Sequence, residues 1–181
     1  LVRSGMKQPR KRDVCVPFNL QEYKMDKRHY MKEALKEAEK ALEKNEVPIG
    51  AVVVFNDEII GRGHNCRENE KSVAGHAEIM AIEQACKTLG SWKLDNCSIF
   101  VTVEPCPMCA GAIMQSRIAN VYYGAADEKA GAFGSVFDLT AIQGFSHYPI
   151  VRKQIMEKEC AQLIQSFFKN IRAKQQKEQL L

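Results

Sequence analysis

The stretch SIFVTVEPCPMCAGAI, residues 98–113, reads as a strand running straight into a helix, with Cys106 and Cys109 at the junction. SIFVTV is a short apolar, partly β-branched run of the kind a buried strand carries. Pro107 suits the first position of a helix, where its missing N–H costs nothing. In a helix that starts there, Cys106 and Cys109 are three positions apart and share one side, so both sulfurs reach a common point. The unpaired amides and positive dipole end at that point favour thiolate over thiol, the form that binds a metal.

A second stretch, GHAEIMAI at 75–82, supplies a histidine and a carboxylate at another expected helix start. His76 with Cys106 and Cys109 makes one borderline nitrogen and two soft sulfurs, a set suited to zinc and not to magnesium or calcium. Three protein ligands leave a fourth position for water, the arrangement of a catalytic zinc. His64 or Cys66 as a fourth ligand would close the site and make it structural. Glu78 stands two residues from His76, close enough to lie beside a water in the open position, and reads as an acid/base and not as a ligand. Zinc brings the pKa of its water to about 7, and a neighbouring carboxylate carries the displaced proton. Either motif alone is weak: CxxC also serves redox chemistry and zinc knuckles, and an isolated HxE says almost nothing. Their conjunction, each opening a helical pattern, points to a catalytic zinc.

The 181 residues are one domain's worth of chain, and 45% hydrophobic with 27% charged residues is the composition of an ordinary soluble globular protein. No apolar run approaches the ~20 residues of a bilayer span, and the N-terminus lacks the apolar segment of a secretory signal, so a cytoplasmic protein with no membrane partner is expected. Beyond the two cysteines of the motif, Cys15, Cys66, Cys86, Cys97 and Cys160 are scattered without a disulfide-like framework, which fits a reducing compartment. The net charge of +4 gathers at the ends, in Lys7, Arg10, Lys11 and Arg12 and in Lys169, Arg172, Lys174 and Lys177. Such clusters are either solvated termini or a nucleic-acid footprint.

Residues 1–20 have no hydrophobic period and read as a flexible arm, its opening LVRSG a remnant of cloning or processing, with Met6 and Met25 as candidate natural starts. A single domain is expected over 21–175, with a tail at 176–181. Within it, periodicity predicts a first helix over 22–44 and a hairpin of strands 49–55 and 58–65 turning at Asn56-Asp57. A polar loop over 66–75 comes next, then a helix from His76 to a stop at Gly90. Further on come a strand at 97–103, a helix at 108–116 and a strand at 118–124. A glycine-rich loop follows, then a short helix at 136–142, a strand at 149–154 and a last helix from Glu157 to about Lys174. Strands separated by helices imply an α/β sheet covered on both faces, and both motifs, lying at helix starts, can converge on one sheet edge.

The pairing of HxE with PCxxC is shared by the zinc-dependent base deaminases. The fuller set EVPIGAVVV, GRGHN, HAEIMAI, GSWKL, FVTVEPCPMCAGAI, SRI and VYYGA resembles the bacterial tRNA-specific adenosine deaminases over residues 22–175. The resemblance implies a three-layer αβα cytidine-deaminase-like fold with a central mixed five-stranded sheet, a homodimer, and one Zn2+ per subunit. It implies a tRNA anticodon stem-loop as partner, with adenosine converted to inosine at the wobble position (34). By position it places zinc on His76, Cys106 and Cys109 and proton transfer on Glu78. Asn65 resembles the family's purine- and ribose-contacting asparagine, Ile49 a pocket wall, and Asp127 an acidic loop residue near the flipped base. From the residues alone, Asn65 would cap a turn, Ile49 would be core, and Asp127 would sit in a surface turn.

Two departures stand out. Ser146 precedes His147 where the family usually has Asn-His, and Phe133 and Phe137 occupy a loop that is smaller and more polar in the relatives. An exposed aromatic there would stack on a base, or else pack within the protein or a dimer interface. Two other functions share the motifs: deamination of a free base or nucleoside such as guanine or cytosine, and a nucleic-acid-binding module with a closed structural zinc.

Overall fold

The computed structural model describes residues 25–178. The expected flexible arm at 1–20 and the last residues of the expected tail lie outside the described residues. In chain order the elements are α1 (Lys27–Glu43), β1 (Gly50–Phe55), β2 (Glu58–His64), α2 (Arg67–Glu70), α3 (Ala77–Leu89), β3 (Ser98–Val103), α4 (Pro107–Gln115), β4 (Asn120–Ala125), β5 (Ile150–Arg152) and α5 (Glu157–Glu178).

Local chemistry sets most of these boundaries. The Asp26 carboxylate accepts from the His29 amide at 3.1 Å and caps α1. Asn45, with φ 60°, closes that helix in the left-handed conformation an asparagine tolerates. Asn56 and Asp57 have φ of 48° and 63°, the two-residue turn whose twist matches a hairpin. Gly90, φ 62°, ends α3 as expected.

The strands lie in the order β2-β1-β3-β4-β5. β1 is antiparallel to both β2 and β3, while β3, β4 and β5 run parallel, which makes the sheet mixed. Alternation along the strands sends Ala51, Val53, Ile99, Val101, Val121 and Tyr123 to the face covered by α3 and α4. Val52, Val54, Phe100 and Tyr122 point the other way, toward α1 and α5, and the rings of Phe100 and Tyr122 stack at 4.5 Å. The result is the three-layer αβα arrangement. Among the described residues no helix is long and apolar enough to cross a membrane.

Three expectations change. The polar loop at 66–75 contains one helical turn, α2, closed by Lys71 in the left-handed conformation. The short helix expected at 136–142 shrinks to a 3-10 turn at Leu139–Ala141, because the Asp138 carboxylate takes the Thr140 amide and hydroxyl at its start. α5 runs to Glu178, beyond the expected end near Lys174, with no glycine or proline to stop it. Of the two readings of the loop aromatics, Phe133 follows packing within the protein, 1% exposed in the core with residues of α4, while Phe137 stays exposed.

α3 presses on β2 backbone to backbone. A Cβ at Gly63 would lie 2.1 Å from the Ala77 carbonyl oxygen and 2.6 Å from the Ala81 amide nitrogen, and one at Gly61 would lie 2.2 Å from the Ala81 carbonyl oxygen. Side chains of α3 also reach the outer edge of β2: the Arg62 amide donates to Gln84 Oε1 at 2.7 Å, and the Thr88 hydroxyl donates to the Ile60 carbonyl at 2.9 Å. Gly63→Ala forces these backbones apart and should destabilise the protein by about 1–3 kcal/mol, read as a lowered midpoint in chemical denaturation.

Candidate active site

Ile49 immediately precedes β1 and Asn65 follows β2; the Asn65 amide donates to the Ile49 carbonyl at 3.0 Å, so the hairpin places both at one edge of the sheet. Cys106 follows β3 and Asp127 follows β4 at that same edge, because β3 and β4 are parallel to each other and antiparallel to β1. α3 starts there too. His76 and Cys106 are the residues immediately before α3 and α4, both extended, and neither side chain caps its own helix. Pro107 sits in the first turn of α4, as its N–H-free backbone requires.

The three expected ligands come together. His76 Nδ1 lies 3.4 Å from Cys109 Sγ and 3.7 Å from Cys106 Sγ. All three donor atoms fall within 4.8 Å of one another, and among the described residues this is the one such group able to hold a metal ion. A tetrahedral ion with bonds of about 2.1 Å to nitrogen and 2.3 Å to sulfur keeps its ligand atoms about 3.6 Å apart, so the trio fits zinc as it stands. Neither proposed fourth ligand joins it. His64 turns away to Lys44 Nζ at 2.9 Å, and the Cys66 thiol donates to the Gly75 carbonyl at 3.6 Å.

The electrostatics divide the two sulfurs. A hydrogen bond from the Cys109 thiol, then one from His76, holds Cys106 as a thiolate and lowers its pKa to about 4 despite burial. Cys109, which keeps the proton and is buried, is pushed far up. His76 is raised, first by its hydrogen bond to Cys106. Burial, and secondarily the charge on Cys106, lifts the Glu78 carboxyl to about 7. A carboxyl poised there both accepts and returns a proton at neutral pH.

A cavity of about 250 Å³ opens onto this group. Its lining holds His76, Glu78 and Cys106 together with all three expected substrate contacts, Asn65, Ile49 and Asp127. Asp127 is also the turn residue its type suggested: Oδ1 accepts from the Lys129 and Ala130 amides at 3.0 and 3.2 Å. Cys109 lies behind the wall, fully buried. Glu46, Glu104 and Arg67 line the cavity as well and were not singled out from sequence. Glu46 is 1% exposed and accepts from Asn65 Nδ2 at 3.3 Å and from the Asn69 amide at 2.7 Å. Nothing in its local pattern marks it; only the fold turns an acidic residue at a helix end inward. His147, beside the departing Ser146, is tied by Nε2 to the Ile118 carbonyl at 2.7 Å and lies outside the cavity lining.

A mixed sheet of this topology with this pocket at its edge defines a deaminase of the cytidine-deaminase-like fold, and the model of the MafB19-like deaminase family matches residues 25–172. The tRNA-specific adenosine deaminase of Bacillus subtilis (strain 168) is 50% identical over 145 residues, covering 80% of this chain and 90% of that protein. A solved structure from a study of A-to-I editing by tRNA:A34 deaminases is 42% identical, covers 75% of this chain and 98% of its own, and superposes with a TM-score of 0.72. The guanine deaminase of Bacillus subtilis is more distant, at 29% identity and a TM-score of 0.54, covering 66% of this chain and 87% of its own. The chain belongs to the family of tRNA-specific adenosine deaminases.

The division of the sulfurs has a measurable consequence. In metal-stripped protein, iodoacetamide at pH 6 should modify Cys106 first. Cys66, Cys97 and Cys160, buried with pKa values pushed up to about 11, 11 and 12, should resist. Peptide mass spectrometry reads the order, and the Cys106 rate should stay flat from pH 8 down toward pH 5, because its thiolate persists to about pH 4.

Proposed function

We propose that the protein deaminates adenosine to inosine at the wobble position (34) of a tRNA anticodon, with His76, Cys106 and Cys109 holding one Zn2+ per subunit and Glu78 moving the proton. The observation that carries this is the buried Glu78 carboxyl in the first turn of α3, beside the His76–Cys106–Cys109 group, in a cavity that also gathers Asn65, Ile49 and Asp127. Zinc bound there supplies Lewis acidity that brings a water molecule's pKa to about 7.

The remaining steps belong to the chain's own groups. A base in an anticodon loop is poorly stacked, so turning it into the cavity costs little. The cavity lining is rich in carboxylates, with Glu46, Glu68, Glu104 and Asp127 around Glu78. These repel phosphate, so the base enters and the backbone stays at the mouth. Asn65, with one amide N–H taken by Glu46, offers its other N–H and its oxygen to the purine and ribose. Glu78 takes a proton from the attacking water and delivers it to adenine N1, then takes the proton of the new C6 hydroxyl and gives it to the leaving amine, so that adenosine and water give inosine and ammonia.

The exposed basic residues Lys169, Arg172, Lys174 and Lys177 on the last turns of α5 support a polyanionic partner. A homodimer and a cytoplasmic location complete the reading. The free state of the six described cysteines fits a reducing compartment. A free-base deaminase needs none of that positive charge, and its activity would be insensitive to salt.

Two measurements test the assignment. The purified protein should form inosine in an anticodon stem-loop RNA with adenosine at the wobble position, at a rate that falls with added salt, and not in free adenosine, cytidine or guanine. Turnover of a free base alone would transfer the site to the other substrate class. Glu78→Gln should keep about one zinc per chain by elemental analysis and lower kcat by about 10²–10⁴. Loss of zinc in that variant would make Glu78 a ligand. Cys109→Ala should bind no zinc.

A further inference from the structure

Glu104 is a carboxylate with 2% of its surface exposed, two residues before Cys106. Its partners all lie in one segment. Oε1 accepts from the Phe133 and Ser135 amides at 2.9 and 3.1 Å, and Oε2 accepts from the Asp127 amide at 3.3 Å and from the Ser135 hydroxyl. A carboxylate offers about four acceptor positions, and here loop donors occupy all of them. Glu104 therefore has no acceptor left for a ligand, although it stands in the cavity wall. Gly131 makes the approach feasible: a Cβ there would lie 2.5 Å from the Glu104 carboxyl carbon and 2.6 Å from the Asp127 carbonyl oxygen. The backbone adds a second clasp, with the Ala132 amide donating to the Pro105 carbonyl at 3.0 Å.

We propose that Glu104 is a positioning residue for substrate binding: its carboxylate gathers the loop of residues 126–137 and holds Asp127 at the cavity wall, in register with the segment that carries Cys106. Glu104 acts through Asp127 and touches no reacting atom. This rests on the reading of Asp127 as a substrate contact. A glutamine at 104 keeps the size but turns one acceptor into an NH2 donor facing loop donors, so the loop must shift. A displacement of about 1 Å at a contact residue is worth up to about 10²-fold in rate.

The test compares kcat and KM on the anticodon stem-loop RNA for Glu104→Gln, Ser135→Ala, Asp127→Ala and the two doubles with Asp127→Ala, with zinc content measured in each. Glu104→Gln should raise KM by about 10-fold or more while zinc content holds. Ser135→Ala removes one donor from an exposed residue and should raise KM in the same direction by a smaller factor. In the Asp127→Ala background both effects should fall to within about twofold, the non-additivity of residues that act as a unit. An unchanged KM in Glu104→Gln, or the same factor in both backgrounds, overturns the proposal while leaving Asp127 as a contact. A wild-type KM in Asp127→Ala alone overturns the contact reading first. If Glu104→Gln does not fold, Ser135→Ala and its double with Asp127→Ala decide the question by the same comparison.

Discussion

The constraint on which the site depends is that two helices begin at the same edge of one sheet and neither is capped by its own first side chain. An uncapped helix start leaves amides and a positive dipole end without a partner. His76 stands at the start of α3 and Cys106 at the start of α4, with Nδ1 and Sγ 3.7 Å apart. The histidine and the cysteines are held at ligand spacing by the backbone geometry of the two helix starts. The glycine contacts of β2 with α3 set the depth of one start, and the parallel pairing of β3 with β4 sets the other. A looser helix on either side would leave the donor atoms too far apart for one tetrahedral ion.

Buried carboxylates around the cavity meet three different fates. Glu104 is saturated by loop donors, Glu46 is shared between Asn65 and Asn69, and Glu78 has its pKa raised toward neutrality. Among the described residues no buried side-chain polar atom lacks a partner, so the charges are accommodated and not merely tolerated. The first two stiffen the walls of the site. The third keeps its proton mobile, which is the property an acid/base group needs.

What could be read from sequence was what local rules determine. The hairpin at Asn56-Asp57, the stop at Gly90 and the helix start at Pro107 each follow from the conformational preference of one or two residues, and each stands where expected. The coming together of His76, Cys106 and Cys109 was legible because the spacing is a covalent fact within each motif and both motifs open helices. For Phe133 the sequence left base stacking and packing within the protein both open, and only tertiary packing with residues of α4 decides for core. Helical periodicity at 136–142 was overruled by Asp138, whose side chain competes with the backbone for amides. The roles of Glu46 and Glu104 depend on partners 19 to 31 residues away and leave no trace in any short window.

The contact of α3 with the outer edge of β2 also bears on whether the sheet can be extended. An edge strand normally offers a row of free amides and carbonyls that another strand will extend, the route to open-ended aggregation. Here Gln84 and Thr88 already occupy outward groups of Arg62 and Ile60, and the opposite edge, β5, is only three residues long. The sheet therefore ends at both sides in protected or abbreviated strands.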